Sequence, residues 1–170
     1  MKRLILTMAL MLGLATVATA QNYAVVNSEK IFKSIEAYNA ALTELDRMAN
    51  EYQKQVDEKF DAVEAIYNAY MQRRSQLSAA SQQANEENIL KKEQEATEFQ
   101  ESIFGTDGTL MKKRIELIQP IQQKVFAKIE EYAKQKGYEM IIDVAQNATM
   151  LYYSAKADKT TELIAILKAE

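Results

Sequence analysis

An apolar seam that returns every seven residues, from residue 35 to residue 77, constrains this chain more than any other feature. The seventh positions read Ile35, Leu42, Ala49, Val56, Val63, Tyr70 and Leu77. A companion series reads Tyr38, Leu45, Tyr52, Lys59, Ile66 and Arg73, apolar except for its two basic members. A repeat of seven places both series along one side of a helix, and that side must be covered by another helix. At about 1.5 Å per residue the segment is a rod about 64 Å long.

The stretch "LSAASQQANEEN" interrupts the seam, so the turn is expected near 78–84, with Ser78 or Ser81 able to cap a new helix. A second seam then reads Ile89, Ala96, Ile103, Leu110 and Leu117, shifts register near Pro120, and continues as Ile118, Val125 and Tyr132. Glu87 with Lys91 and Glu130 with Lys134 are helix pairs in the favourable order. Gly137 is a helix stop. Two seams of similar length joined by a short polar turn predict an antiparallel coiled-coil hairpin over 36–136.

Two features disturb the return arm. "GTDG", Gly105 to Gly108, weakens a helix by roughly 1 kcal/mol per Gly. Because the heptad phase runs straight across it, a kinked but continuous helix is expected rather than a break. Pro120 removes one backbone donor and should bend the helix again. Gly105, Gly108 and Pro120 are therefore the hinge candidates.

Outside 36–136 the pattern changes. "YAVVN", "MIIDV" and "TMLYY" are short β-branched or aromatic runs, the last two flanking the polar turn "AQNA". Ser28 is placed to cap a short helix carrying Ile31, Phe32 and Ile35, and Asp158 to cap a terminal one whose stripe is Leu163, Ile166 and Leu167. The reading is a hairpin of the two late strands, with "YAVVN" as the only other strand available to it. "NAT" at Asn147 matches a glycosylation sequon but reads better as a plain turn. The fold class expected is α+β, mainly α: a helical hairpin projecting from a small β-sheet body formed by 21–35 and 137–170.

That body, about 45 residues once the ends are trimmed, is small for a self-sufficient core. The chain has no Cys to staple it. Val25, Val26, Ile31, Phe32, Ile141, Ile142, Val144, Leu151, Tyr153, Leu163, Ile166 and Leu167 would supply the core of an assembly in which bodies from several copies join. Burial alone does not choose between two, three or four copies.

The first twenty residues have the layout of a cleaved secretory signal: a basic start, the apolar run "LILTMALMLGL", and a small-residue site ending at Ala20. Its apolar core is short for a membrane span. No Cys follows the site, which rules out a lipoprotein signal. Removing Lys2 and Arg3 with it leaves 19 basic against 24 acidic side chains, a net charge of −5. That balance disfavours a nucleic-acid binder.

Catalytic chemistry is scarce. There is no His, Cys or Trp, and the four Gly form no phosphate-binding loop. Asp57, Asp61 and Glu64 share a helical face, the ordinary look of a solvated acidic surface. No catalytic residue, metal or cofactor is expected.

"YAVVNSEKIFKSI" near the start and "GYEMIIDVAQNATMLYYSAKADKTTELIAILK" at the end resemble the Skp/OmpH family of periplasmic chaperones. Those proteins open with a strand such as "IAIVN" before a Leu-Phe or Ile-Phe pair, here Ile31-Phe32. They close with a "DLVVD"-like strand, a turn, a strand ending in Tyr, and a final helix, here Met140–Val144, Thr149–Tyr153 and Asp158–Leu163. The resemblance implies a homotrimer whose three hairpins hang as tentacles around a cavity. It implies binding of unfolded outer-membrane β-barrel proteins without ATP, in the periplasm, with transient contact at a membrane surface.

Met48, Phe60, Tyr67, Met71, Phe99, Phe104 and Met111 lie outside the seam and are the candidates for client contact, since Met and aromatic side chains adapt to varied partners. The family's well-known members are strongly basic, whereas residues 36–136 carry 14 basic against 18 acidic side chains. Capture is therefore expected to be hydrophobic, and no residue set supports a lipopolysaccharide site. The alternative is an exported structural or adaptor coiled coil that binds one folded partner.

Overall fold

A computed structural model of the chain describes residues 22–146 and 149–169. The expected signal peptide at 1–20 and the turn at Asn147 lie outside them. The elements are β1 (Tyr23–Val26), α1 (Ser28–Lys33), α2 (Glu36–Arg73), α3 (Ala79–Phe104), α4 (Thr109–Lys136), β2 (Met140–Asp143) and α5 (Thr160–Lys168), with a 3₁₀ turn at Arg74–Gln76. They form two compact units, one from Phe32–Phe126 and one from the described residues of 1–31 and 127–170.

The first unit holds most of the helical hairpin that the seams predict over 36–136, while residues 127–136 of α4 fall in the second unit. α2 is 38 residues long and packs against α3. Every apolar residue of the outgoing seam is buried or half-buried, while Lys59 and Arg73 remain exposed. Ala41, Leu45 and Ile118 form one buried cluster, with Tyr38, Leu42, Leu110, Leu117 and Ile121 packed on it. Val56, Tyr70, Ala96, Ile103 and Val125 are buried along the rest of the seam. Burial of each larger side chain stabilises by about 1.5–3 kcal/mol. Phe32 packs within this unit, its ring centroid 5.2 Å from Tyr38 and 6.1 Å from Phe126.

The turn comes earlier than expected. α2 runs into the 3₁₀ turn, Ser78 Oγ accepts from the Ser81 amide at 3.3 Å, and residues 79–84 are already helix. Ser78, not Ser81, is the cap. Gln82 Nε2 donates to the carbonyls of Arg74 and Leu77, satisfying acceptors that the end of a helix leaves open.

At "GTDG" the helix breaks into two, contrary to the expected kink. The Gly105 amide donates to Glu101 O at 2.8 Å, and the Gly108 amide to Gly105 O at 2.9 Å. A Cβ at Gly105 would lie 2.5 Å from Glu101 O, and one at Gly108 2.5 Å from Ile103 O. The chain passes its own carbonyls more closely than a side chain permits, so glycine at both positions allows the tight turn that separates α3 from α4. The heptad phase survives because Ile103 and Leu110 both still face the seam. α4 itself continues through Pro120.

In the second unit β1 and β2 pair in parallel, Tyr23 with Met140 through Val26 with Asp143. Strands separated by a long helical excursion can pair this way, whereas a tight turn enforces the antiparallel form. The other edge of β1 is occupied too: the Val25 amide donates to Ala157 O and the Lys159 amide to Val25 O, both at 2.9 Å. Val25, Val26, Ile31 and Leu163 are buried here within the single chain.

The expected third strand at 149–153 is not formed, and with it goes the late hairpin. A strand exists by virtue of its ladder, and the sheet of the described residues consists of β1 and β2 alone.

One cap also differs from expectation. Asn27 Oδ1, not Ser28, accepts from an amide of α1, that of Lys30 at 2.9 Å. Ser28 instead donates its amide at 3.0 Å and its hydroxyl at 2.5 Å to the Asp143 carboxylate. Asp158 Oδ1 accepts from the Thr160 amide at the start of α5, as expected. Of the α5 stripe, Leu163 is buried and Leu167 half-buried, but Ile166 faces out. Gly137 ends α4 with φ +70°. There the Gly137 amide donates to Lys134 O and the Tyr138 amide to Ala133 O, the paired closure that favours glycine.

Candidate functional site

Asp57, Asp61 and Glu64 are exposed on α2, and Asp57 accepts from Gln53 Nε2 one turn away. Among the described residues no group of three or more His, Cys, Asp or Glu could hold a metal ion, and no helix is long and apolar enough to cross a membrane. The ion pairs are mostly local helix pairs, such as Arg47 with Glu44 and Glu51, and Lys134 with Glu130. Exposed pairs of this kind contribute little each.

The remaining candidate is surface hydrophobicity on the hairpin. Of the seven residues singled out for client contact, Tyr67, Met71, Phe104 and Met111 are exposed. Met48, Phe60 and Phe99 are half-buried. Phe99 carries the Lys59 ammonium over its ring at 4.8 Å, which gives that seam-breaking lysine a partner. Leu90, Ile115 and Phe126 are exposed as well and were not singled out. Leu90 and Phe126 each come one residue after a seam position, and Ile115 sits three before Ile118. An apolar residue one step off the seam was the signal that could have found Leu90 and Phe126.

The break at "GTDG" shapes part of this surface. An open cleft of about 400 Å³ is lined by Leu45, Asp46, Ala49, Phe104, Gly105, Thr106, Leu110, Met111 and Arg114. Of the hinge candidates, Gly105 and Gly108 form the loop, while Pro120 is an exposed residue inside α4.

At the tip, the Tyr70 hydroxyl donates to Glu86 Oε1 at 2.5 Å, and Arg74 Nε donates to the same hydroxyl at 3.0 Å. Burial and the neighbouring Glu86 carboxylate push the Tyr70 phenol up. These three residues clasp α2 to α3 across the turn.

In the sheet unit the residues named for an oligomer core divide. Val25, Val26, Ile31 and Leu163 are already covered within the chain, and Ile141, Ile142, Val144 and Leu167 are half covered. Leu151, with 95% of its surface exposed, is uncovered, as are Tyr152 at 82%, Tyr153 and Ile166. Asp143 is titrated by opposing effects. Burial raises its pKa, but the Ser28 hydroxyl and the Ser28 and Ala145 amides outweigh it and hold the carboxyl below its ordinary range.

Three comparisons with known proteins bear on these observations. A family described as "Outer membrane protein (OmpH-like)" matches residues 22–167. An uncharacterized protein of Aquifex aeolicus is 28% identical over 156 residues, covering 92% of this chain and 91% of its own length. A solved structure from Caulobacter crescentus, described as an OmpH-like outer membrane chaperone, superposes with a TM-score of 0.65 at 12% identity. It covers 89% of this chain and 86% of its own, so the two share a fold.

Proposed function

The chain belongs to the OmpH-like family of outer membrane proteins, and from that premise we propose that it is an ATP-independent holdase of the periplasm. It binds unfolded outer-membrane β-barrel proteins and keeps them from aggregating on their way to the membrane. One observation carries this reading: large apolar side chains stay exposed along a hairpin whose own seam is closed, among them Tyr67, Met71, Leu90, Phe104 and Met111. A coiled coil needs only its seam for stability. Apolar surface beyond it signals contact with something else.

The working unit is a homotrimer exported by a cleaved signal peptide. The exposure of Leu151 and Tyr152, next to a two-stranded sheet too small to stand alone, supports completion of the body by other copies. Several hairpins around one axis multiply weak contacts through effective concentration.

The test is dilution of a urea-unfolded outer-membrane β-barrel protein into buffer containing residues 21–170, monitored by light scattering without nucleotide. The expected result is suppression near one assembly per client. Aggregation undiminished by folded, oligomeric protein would sink the reading for this client class.

A second reading, an exported structural or adaptor coiled coil, is favoured by the Tyr70–Arg74–Glu86 clasp, which stiffens the tip. It predicts saturable binding to one folded partner and no effect on aggregation.

A further inference from the structure

Asn22, the first described residue, ties three parts of the sheet unit together. Its side-chain Nδ2 donates to the carbonyls of Gly137 at 3.1 Å and Lys136 at 3.3 Å, at the end of α4. Its own carbonyl accepts from the Glu139 amide at 2.8 Å, at the entry to β2. The next residue, Tyr23, opens β1 and makes the first pair of the ladder, with Met140. A chain end is loose unless something holds it. Here the hold begins at residue 22.

The small-residue site ends at Ala20, so cleavage there leaves Gln21 as the first residue, immediately ahead of that hold. Gln21 itself lies outside the described residues. A glutamine in first place differs from one anywhere else in a chain, because its α-amine and its side-chain carbonyl carbon can close a five-membered ring. The ordinary pKa of an α-amine is about 7.7–8.0, so near neutral pH a share of it is the free nucleophile. We propose that Gln21 of the mature chain is closed to pyroglutamate. The α-nitrogen bonds to Cδ, the Cδ–Nε2 bond breaks, and the side-chain nitrogen leaves as ammonia with one proton of the amine. The step needs no oxidant and no co-reactant.

The lactam replaces a basic amine with a neutral amide. An exopeptidase that recognises a free α-amine then has nothing to grip. An open terminus would have no residues to spare. Loss of Gln21 exposes Asn22 to the next cut, and loss of Asn22 removes both donors to the end of α4 and the acceptor of the Glu139 amide. The cut after that takes Tyr23 from a strand of four residues. A ring at position 21 seals the chain just ahead of those contacts. The inference rests on the cleaved signal peptide of the functional reading and is independent of client binding.

The test is intact-mass spectrometry of the chain encoded as residues 1–170 and purified from its native cells. The expected species is 21–170 less one ammonia, about 17 Da lighter than the open chain. Pyroglutamyl peptidase should remove the ring and leave Asn22 first. An open 21–170 overturns the ring and leaves the export reading standing. A chain that keeps residues 1–20, or starts elsewhere, overturns the cleavage site and the ring together. The sealing role is read with Gln21→Ala, which cannot cyclise. Incubated with an aminopeptidase, this variant should lose positions 21 and 22 and its urea midpoint should fall, while the parent keeps its mass and midpoint. A variant as resistant as the parent, or one trimmed with no change in midpoint, would overturn the seal.

Discussion

The Tyr132 hydroxyl donates a 2.7 Å hydrogen bond to Glu162 Oε2, joining the last turns of α4 to the first turn of α5. Lys136 Nζ, 3.1 Å from the other oxygen of Glu162, completes the strap. Tyr132 is itself buried and lies against Tyr138, with ring centroids 5.9 Å apart. Burial, reinforced by the carboxylate, pushes the Tyr132 phenol well up. The phenol and Lys136 hold the Glu162 carboxyl below its ordinary range.

Tyr132→Phe keeps the ring and removes the donor, so stability should fall by about 1 kcal/mol, read from the urea midpoint. The pH dependence comes from Glu162. Its folded pKa is depressed, so its contribution is present above the unfolded value of about 4.5 and is lost as pH falls through the folded one. Tyr132→Phe should therefore flatten the loss of stability below that pH. An unchanged acid limb would refute the strap.

Leu45→Ala removes a buried residue from the cluster with Ala41 and Ile118. The expected loss is about 2–5 kcal/mol, because transfer and cavity terms add. Lys59→Leu, at an exposed position of the same seam, should change stability far less. Thermal unfolding of both would compare them directly.

The glycines should separate by mechanism. Gly137→Ala is forced into a left-handed conformation with open space around it and should cost about 1–2 kcal/mol. Gly108→Ala meets the Ile103 carbonyl at 2.5 Å, so the loop must move. Its signature should be a local change in hydrogen exchange at 103–112 as well as a lower midpoint. Equal, purely global effects of the two would contradict the tight turn.

At the tip, Tyr70→Phe removes the hydroxyl that Arg74 and Glu86 share. Both partners are exposed, so global stability should change by less than about 1 kcal/mol. Amide exchange at 74–86 should quicken, and no change there would mean that the clasp does not hold the turn.

Leu151→Ser/Tyr152→Ser alters two of the most exposed apolar side chains in the chain. If these residues complete a neighbouring copy's sheet, sedimentation should show smaller species with helix content retained. An unaltered assembly would place the contact between copies elsewhere.

Much of the hairpin was legible because a coiled coil is written locally. Seven-residue spacing decides which side of a helix is buried, whatever packs on it, and Val56, Ile103 and Val125 are buried as that spacing requires. Gly137 was legible for a similar reason, since a periodic run that ends in Gly leaves few ways to close the helix. The break at Gly105–Gly108 was not, because heptad phase reports which face each residue shows and is blind to an interruption that preserves the phase. The exposed Met111, Ile115 and Phe126 were half hidden too, standing off a seam that dominates the pattern.

The sequence by itself determined the helical rods, their facing sides and the family likeness of the two ends, all of which depend on residues near one another in the chain. Only the tertiary structure decided that Val25 pairs with both 140–143 and 157–159, that 149–153 forms no strand, and that Ser28 serves Asp143 instead of capping α1. A strand takes its existence from partners more than a hundred residues away, and a side-chain donor goes to the acceptor that the fold brings nearest. Neither is set by local spacing.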